Sequence, residues 1–363
     1  MLRKRTIIIR LLLSICCGPF AVFVSCREDS QKSIANLDCS QAQRITLHAD
    51  VVPDIADRFP AARHFYVYHD RILVTINRPS NGDAFVHLSE LESGKALASA
   101  ILYGNGPAEM LSVSEHLRDG VLYLKDYVKK RIVALPIDSL IQKPSFRASS
   151  FLDYSQYGKF PFVTFWDDQK MLAENPYCFS NKEYGIDNHD SERILILDTG
   201  ASSRLKRKNY RFETYNVSQG FILPSRRHGR IIYASMNEPV LEVYDSVGNR
   251  IKAFLGPKKM DIPYRITDGR YVSFDQKVPF AFQAPCLEED AVFIVFIGDF
   301  LTDDHTEKDI MHSTILELDW QGNLQCIYDA PVFLSTLSRT SDGVFYGTGY
   351  DKDGRTVLWE LKK

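Results

Sequence analysis

The sequence predicts an all-β protein and, within that class, a six-bladed β-propeller. Short runs rich in Val, Ile, Leu, Tyr and Phe alternate with Asp, Asn, Gly and Pro, which is the pattern of strands joined by tight turns. A polar turn followed by an apolar strand also recurs every 50 to 60 residues, roughly. The six recurrences are at Asp70, Asp119, Asp168, Gly229, Asp290 and Asp342. Units of this size match propeller blades, which bury both faces by packing against their neighbours in a ring.

A second pattern lies inside the units. Residues 241–251 and 315–324 both read as a strand, an Asp…Gly turn and a second strand, and residues 194–200 and 85–94 are further, looser copies. The Asp side chain can cap a tight turn, and Gly tolerates the positive φ that such a turn needs. A pair of β-sandwiches is the alternative fold, but it does not explain the sixfold recurrence.

The ring needs a strand to close it. Residues 44–48 have a strand-like pattern but belong to none of the six units. We expect this N-terminal strand to close the last blade by pairing beside residues 357–361 as the outer strand. The propeller is therefore predicted as a single domain over residues 41–363.

The N-terminus has the features of an export signal. Four cations (Arg3, Lys4, Arg5 and Arg10) precede an uncharged apolar stretch over residues 11–24, which is shorter than the about 20 residues that span a bilayer. Phe23-Val24-Ser25-Cys26 resembles the lipobox of bacterial lipoproteins, which implies cleavage before Cys26 and lipid on its sulfur. Residues 1–25 are thus predicted as a signal peptide, and residues 26–40 as the lipidated Cys and a polar tether. An uncleaved anchor and an exported protein cut elsewhere are the alternatives.

Charge and the signal together predict the compartment. Without residues 1–25, 40 cations face 46 anions, a net charge of −6, which argues against nucleic acid as a partner. Glu28 and Asp29 follow Cys26 in a pattern similar to surface-export signals, or they belong to a solvated linker. We expect a cell-envelope, outer-membrane lipoprotein held on the membrane through Cys26. Either side of the outer membrane, periplasmic or surface-exposed, is compatible with these features.

Four cysteines remain after Cys26, and they allow three complete pairings. These residues are Cys39, Cys178, Cys286 and Cys326. None of them lies in a C-x-x-C or other zinc-ligand spacing, so no metal site is predicted from them. Their disulfide state is left open at this point.

Several segments resemble the TolB-like six-bladed propeller lipoproteins of Bacteroidetes. The resemblance lies in the signal ending at Cys26, in Tyr103-Gly-Asn-Gly-Pro-Ala-Glu109, in residues 121–140 and in the stretches 242–256 and 271–300. In that family a Gly-x-Gly-Pro-x-Glu segment joins the first two blades. The resemblance implies an envelope propeller of unassigned activity, and it implies no catalytic residues.

The sequence contains no motif for a named reaction. G-x-S-x-G, H-E-x-x-H and G-x-x-x-x-G-K-[ST] are all absent, so no catalytic residue and no cofactor are predicted. The acidic stretch over residues 303–312 lacks the D-x-D-x-D-G spacing of a calcium loop. We interpret it as a charged loop and predict no metal there.

Two groups of residues are candidate sites. Gly104, Gly106, Pro107 and Glu109 form either an inter-blade turn, with Glu109 hydrogen-bonded to backbone, or part of the channel mouth. Pro107 lacks the N–H that a phosphate loop would offer. His64 and His69 flank the first strand, where a His is either a ligand-binding group at the channel or a solvated or packed side chain.

These features favour a ligand-binding or protein-interaction module, whose partner would be a glycan, a peptide or an envelope protein. A glycan-directed hydrolase or lyase on the same scaffold is one alternative. A structural subunit of an outer-membrane uptake complex is another. An enzyme needs titratable groups that converge in a pocket, a glycan binder needs aromatic side chains beside hydrogen-bonding groups, and a docking subunit needs an apolar patch.

Overall fold

Six sheets, each built mainly from one consecutive stretch of chain, surround a central cavity and confirm the predicted six-bladed β-propeller. The computed structural model describes residues 34–363 except 79–82, 144–151, 155–159, 161, 168, 189–191 and 199–209. Cys26, the whole predicted signal and the start of the predicted tether lie outside the described residues.

The strands are short, as turn-rich segments predict. The N-terminal segment contains β1 (Ala35–Asn36), β2 (Gln43–Thr46), β3 (His48–Val51) and helix α1 (Ile55–Arg58). Blade 1 contains β4 (Ala62–Tyr68), β5 (Ile72–Asn77), β6 (Ala84–Glu90) and β7 (Ala96–Leu102). Blade 2 contains β8 (Ser114–Arg118), β9 (Val121–Asp126), β10 (Arg131–Pro136), helix α2 (Ile137–Gln142) and β11 (Leu152–Asp153). Blade 3 contains β12 (Val163–Phe165), β13 (Lys170–Glu174), the hairpin β14 (Ser180–Asn181) and β15 (Ile186–Asp187), and β16 (Ile194–Asp198).

The second half of the ring repeats the arrangement. Blade 4 contains β17 (Gly220–Ser225), β18 (Arg230–Ser235), β19 (Val240–Asp245) and β20 (Arg250–Leu255), followed by the hairpin β21 (Tyr264–Thr267) and β22 (Tyr271–Phe274). Blade 5 contains β23 (Val278–Leu287), β24 (Ala291–Leu301), β25 (Ser313–Asp319) and β26 (Leu324–Ala330), with a 3₁₀ turn over Glu307–Asp309. Blade 6 contains β27 (Ser338–Arg339), β28 (Phe345–Tyr350) and β29 (Thr356–Lys362).

The recurring polar turns have one place in the fold. Each of them joins the first two strands of a blade, from Asp70 between β4 and β5 to Asp342 between β27 and β28. Asp168 lies outside the described residues, but the strands on either side of it, β12 and β13, pair in the same way. The recurrence in the sequence is therefore the repeat of the blades.

The segment that closes the ring is displaced from the predicted one. β3 pairs antiparallel with β29, with Ala49 opposite Leu361, and so supplies the outer strand of blade 6. Most of the predicted segment, residues 44–48, instead belongs to β2, which pairs in parallel with β26 of blade 5. The N-terminal closure of the last blade is correct, but the assignment to residues 44–48 is wrong. Both stretches can form an edge strand, and Leu47, buried between them, separates the two.

The N-terminal segment reaches one blade further still. β1 pairs in parallel with β20 of blade 4, with Ala35 opposite Phe254. These residues fall within the predicted polar tether over residues 26–40, part of which is therefore a strand. Three consecutive blades thus receive an additional outer strand from the N-terminal segment, which covers edges that would otherwise be exposed.

Hydroxyl groups hold the seam between the last blade and the first. Thr336 Oγ1 donates to the carbonyl of Phe65 at 2.8 Å, and Thr348 Oγ1 accepts from the Phe65 backbone N–H at 2.7 Å. Ser338 Oγ accepts from the backbone N–H of Val67 at 2.9 Å. These side chains satisfy backbone N–H and C=O groups of β4, the inner strand of blade 1, on the side where β4 has no neighbouring strand.

Apolar side chains fill the space between blades. The largest clusters lie between blades 1 and 2, between blades 4 and 5, and between blades 5 and 6. Gly322 illustrates how close the packing is, because a Cβ at this position would lie 2.6 Å from Cγ2 of Val243 in the neighbouring blade. Cys39, Cys286 and Cys326 are free thiols. No helix among the described residues is both long and apolar enough to cross a membrane.

Candidate functional site at the central cavity

The first strands of the blades surround a central cavity of about 550 Å³. Residues of β4, β8, β17 and β23 line it, together with residues 335–337 next to β27 of blade 6. Side chains alternate along a strand, so the inner strands can direct one set of residues into this space. The cavity therefore combines side chains from five blades that are far apart in the sequence.

His64 and Glu115 form a pair across the first two blades at this cavity. The Nδ1 atom of His64 in β4 contacts the Oε1 atom of Glu115 in β8. The Glu115 side chain is only 2% exposed, and its second oxygen, Oε2, is buried without a hydrogen-bond partner. A buried carboxylate oxygen without a donor is costly, so this oxygen marks a position where a ligand donor would be stabilised.

Gln283 presents a complementary group on another side of the cavity. Its side-chain Nε2 is buried and donates to no protein atom. Gln283 lies in β23, where the pairing with β24 changes register, and the next residue, Ala284, has a φ of 46°. A β-bulge of this kind redirects side chains and is common beside binding sites. The cavity thus contains one unsatisfied acceptor and one unsatisfied donor.

Cations outnumber anions around the rest of the cavity. Arg63, Arg78 and Lys308 line it and are exposed to solvent. Glu307 also lines the cavity, and its carboxylate accepts a hydrogen bond from the Tyr350 hydroxyl at 3.1 Å. Burial, together with the nearby Glu307 charge, raises the pKa of Tyr350 to about 12, so this hydroxyl is a donor at neutral pH. Three cations against two carboxylates favour an acidic ligand.

His116 forms an uncharged part of the wall. Burial, with a further contribution from the positive charge of Arg118, lowers the pKa of His116 to about 3. Its ring stacks on Tyr123 with centroids 4.9 Å apart. His116 is therefore neutral at physiological pH and adds no charge to the cavity.

A second cavity of about 480 Å³ adjoins the first. The two share lining residues, among them Arg63, Glu115 and Phe221. The residues that line the second cavity come from blades 1 to 4, and Tyr127 in the β9–β10 turn is one of them. The central cavity is thus continuous with a groove that reaches Tyr127.

Of the predicted histidines, the structure places only His64 at the cavity. His69 lies in the β4–β5 turn at the other end of β4, where its ring stacks on Tyr68 with centroids 3.9 Å apart. It is exposed and is not among the residues that line the central cavity. The two histidines that flank the first strand are therefore on different ends of the blade.

The glycine-rich segment joins blades 1 and 2 as an internally bonded turn. The Glu109 carboxylate accepts from the backbone N–H of Gly106 at 2.6 Å. A Cβ at Gly104 would overlap the same carboxylate, and at Gly106 it would lie 2.8 Å from its carbon, so a side chain at either position would displace the Glu109 side chain from this turn. Pro107 contributes its carbonyl, which accepts from Arg131 Nη1 at 2.7 Å.

Lys129 anchors this turn to blade 2. Its ammonium donates to the carbonyls of Gly104, Gly106 and Glu109 at 2.7, 3.1 and 2.9 Å. These four candidate residues do not line the described cavities. The geometry is that of an inter-blade turn, and a role at the channel mouth stays a prediction.

Glu115, Gln283, Arg63 and Arg78 were not predicted from the sequence. They share no motif, since they lie in three different blades that only the fold brings together. One signal could have found Gln283, which is a polar residue in a first strand where apolar residues prevail. Glu115 carries no such signal, because its strand is polar throughout except for Leu117. In the part of the chain that the structure describes, no cluster of three or more metal-ligating side chains occurs.

Several solved structures are similar to this chain over most of its length. A member of the DUF4221 family from Bacteroides vulgatus superposes with a TM-score of 0.50 at 10% identity, over 87% of this chain and 96% of that one. An exported protein from Bacteroides fragilis gives a TM-score of 0.44 at 10% identity, over 91% and 94%. The WD40 domain of Pan2 from Neurospora crassa gives 0.42 at 9% identity, over 90% and 97%. No family model and no curated protein matches the sequence.

Proposed function

We propose that this protein is a lipid-anchored propeller of the cell envelope that binds a small acidic ligand in its central cavity. The observation that carries the proposal is the pair of buried, unsatisfied groups there, Glu115 Oε2 and Gln283 Nε2. Binding sites in proteins combine a concave cavity with a few convergent polar groups, and this cavity has both.

The chemistry of the lining defines the ligand class. Glu115 Oε2 requires a donor such as a hydroxyl or an ammonium group, whereas Gln283 Nε2 requires an acceptor. Arg63 and Arg78 can bind a carboxylate with paired N–H groups. The expected ligand therefore carries an acidic group together with hydroxyl or amino groups, as sugar acids, hydroxy acids and acidic amino acids do.

Thermal unfolding with such compounds tests the proposal. A ligand that binds only the folded state raises the unfolding temperature with its concentration. We expect stabilisation of the mature protein by at least one compound from a panel of uronic acids, hydroxy acids and acidic amino acids. The double variant Arg63→Ala and Arg78→Ala should lose it.

Arg265→Ala is the matched control, because Arg265 is an exposed cation in β21 that does not line the cavity. It should retain the stabilisation. If no acidic compound stabilises the protein, or if both variants respond like the wild type, the proposed central site is wrong.

The membrane anchor rests on the sequence. A multiply acylated Cys26 would hold the propeller on a membrane, since each buried CH₂ contributes about 0.8 kcal/mol and stable anchoring takes more than one chain. β1 begins at Ala35, so a tether of eight residues, 27–34, would separate the lipidated Cys26 from the first strand.

Cys26→Ser should abolish metabolic labelling with a lipid precursor and move the protein from the membrane to the soluble fraction. Cys39→Ser is the control, because Cys39 is a free thiol thirteen positions further on. This variant should stay labelled and membrane-bound. Unchanged labelling of the Cys26 variant would contradict the anchor but would leave the cavity proposal intact.

A further inference from the structure

A further cleft, which we call the tyrosine cleft, is lined mainly by aromatic side chains and shares no lining residue with the central cavity. It has a volume of about 480 Å³, and the aromatic residues around it are Tyr127, Tyr154, Phe160, Tyr177, Tyr215 and Tyr271. They come from the loops of blades 2 and 3, from the segment before β17 and from β22. Five of the six are tyrosines, which combine a ring face with a hydroxyl group.

The cleft is open to solvent and is held in place by the backbone. Tyr271 is 54% exposed and Tyr127 is 45% exposed. A bridge between Glu213 and Tyr271 ties the segment before β17 to the hairpin of β21 and β22. Tyr154 and Phe160 at the same cleft are buried, at 2% and 5% exposure. Large ring faces left exposed beside a cleft, as those of Tyr271 and Tyr127 are, favour a ligand that stacks on them.

Polar side chains lie between the rings. Lys130, Glu213 and Asn216 line the same cleft. The Glu213 carboxylate accepts a hydrogen bond from the Tyr177 hydroxyl at 3.2 Å and pairs with Arg270 at 2.5 Å. Together these groups offer an ammonium, a carboxylate and an amide next to apolar ring faces.

A cationic ligand does not fit this arrangement. The Lys125 ammonium already lies 4.3 Å from the centroid of the Tyr127 ring and 5.6 Å from that of Tyr154. One side of each of these rings is thus covered by the Lys125 side chain. Arg270 compensates the Glu213 charge, and Lys130 adds a further positive charge, so the cleft has no excess of negative charge to attract a cation.

A purely apolar ligand fits no better, because it would cover the polar groups of the cleft without bonding to them. A pyranose ring satisfies both requirements. Its C–H faces stack on aromatic rings, while its hydroxyl groups exchange hydrogen bonds with amide, carboxylate and ammonium groups.

We infer that the tyrosine cleft is a carbohydrate-binding site that takes sugar rings of an oligosaccharide. The inference stands apart from the proposed central site, since the cleft shares no charged lining residue with it. Tyr127 nevertheless lines both this cleft and the groove that leads to the central cavity. An oligosaccharide bound in the cleft could therefore extend towards the ring axis.

Calorimetric titration of the mature protein with oligosaccharides tests the inference. The probes are hexamers of glucose, mannose, xylose, N-acetylglucosamine and galacturonic acid. We expect at least one of them to bind. Tyr271→Ala and Tyr127→Ala should each weaken that binding about tenfold, the effect of losing one stacked ring. Both side chains are half-exposed, so the variants should unfold at the wild-type temperature.

Tyr271→Trp keeps an aromatic face and should restore binding, whereas a purely structural effect of Tyr271→Ala would not be rescued. Tyr68→Ala, a tyrosine outside the cleft, is the control and should bind like the wild type. The inference is overturned if none of the five hexamers binds, or if binding survives in both cleft variants. The central-site variants Arg63→Ala and Arg78→Ala should leave binding of neutral hexamers unchanged, so the two proposals can fail separately.

Discussion

Arg193 and Glu242 form a charged pair inside the protein, between blades 3 and 4. Arg193 Nε lies 2.8 Å from Glu242 Oε2, as an ion pair without hydrogen-bond alignment, and the two side chains are 12% and 3% exposed. The Tyr244 hydroxyl and Arg250 also donate to the Glu242 carboxylate, at 2.7 and 2.9 Å. Burial alone would raise the pKa of Glu242, but these partners, Arg193 foremost, outweigh it and hold the pKa below its usual value.

Glu242→Gln should lower the free energy of unfolding by about 3 to 5 kcal/mol, because it leaves the Arg193 charge buried without compensation. Denaturation in urea at pH 7 measures the change. Arg193→Met combined with Glu242→Met should recover much of the loss. Asp261→Asn, which breaks the exposed pair with Lys259, is the control and should leave the stability unchanged. A Glu242→Gln variant as stable as the control would refute a stabilising role for the pair.

Two further buried groups titrate near neutral pH. Glu174 accepts from the Tyr233 hydroxyl at 2.6 Å and from the Gly220 backbone N–H at 3.1 Å, and burial raises its pKa to about 7. Lys125 donates to the carbonyl of Phe160 at 2.8 Å, and burial lowers its pKa to about 7. Both groups are therefore neutralised more easily in the folded state than in the unfolded chain.

The signs of the two pH effects are opposite. The stability contributed by protonated Glu174 is complete below its unfolded pKa of 4.5 and is lost as the pH rises through about 7. The stability contributed by neutral Lys125 is complete above 10.5 and is lost as the pH falls through about 7. At 1.36 kcal/mol per pKa unit, the effect is on the order of 3 kcal/mol for Glu174 and on the order of 5 kcal/mol for Lys125.

Unfolding curves at several pH values test these effects. Relative to Glu174→Gln, the wild type should lose stability between pH 4.5 and 7, and relative to Lys125→Met it should gain stability between pH 7 and 10.5. Stability differences that do not vary with pH would contradict the assignment.

Among the elements, the Asp…Gly hairpins are the clearest case of local sequence determining structure. Asp245 Oδ1 accepts from the backbone N–H groups of Val247 and Asn249 at 3.0 and 2.8 Å. Asp319 makes the same bonds to Gln321 and Asn323 at 2.9 and 2.8 Å. The glycines that follow, at 248 and 322, have φ values of 88° and 78°. Two blades thus use the same turn between their third and fourth strands.

Asp245→Ala and Asp319→Ala should each cost about 1 to 2 kcal/mol of stability, since each removes a carboxylate that satisfies two backbone donors. Asp353→Ala is the control, because in the similar turn between β28 and β29 of blade 6 the Asp351 carboxylate, and not that of Asp353, caps the backbone. Thermal unfolding of the three variants measures the difference. Equal unfolding temperatures for all three would show that the carboxylate caps do not stabilise the turns.

These turns could be predicted because all their contacts lie within five residues of chain. The ring closure was predicted only in part, because residues 43–46 and 48–51 have similar edge-strand patterns and only the neighbouring blade decides between them. The central site could not be predicted. His64 and Glu115 are 51 residues apart, Gln283 lies in another blade, and their convergence follows from the closed ring alone.

At the scale of the whole molecule, the N-terminal segment stabilises the ring from outside. β1, β2 and β3 add strands to blades 4, 5 and 6 in turn. Only β3 completes a blade, since blade 6 otherwise has three strands and its last one, β29, would be left as an open edge. Blades 4 and 5 already have four strands each. The three N-terminal strands should therefore contribute very unequally to stability.

Two truncations separate these contributions. A protein that begins at Leu47 loses β1 and β2 but retains β3 and the buried Leu47 side chain, and it should unfold within a few degrees of the wild type. A protein that begins at Val52 also loses β3, which exposes β29 and opens the seam between blades 6 and 1. Its unfolding temperature should fall by at least about 10 °C, because several kcal/mol of strand pairing and core packing are lost at once. Calorimetry of both proteins measures the two steps. If the loss occurs instead on removal of β1 and β2, the parallel outer strands hold the ring together, and closure through β3 is not the stabilising contact.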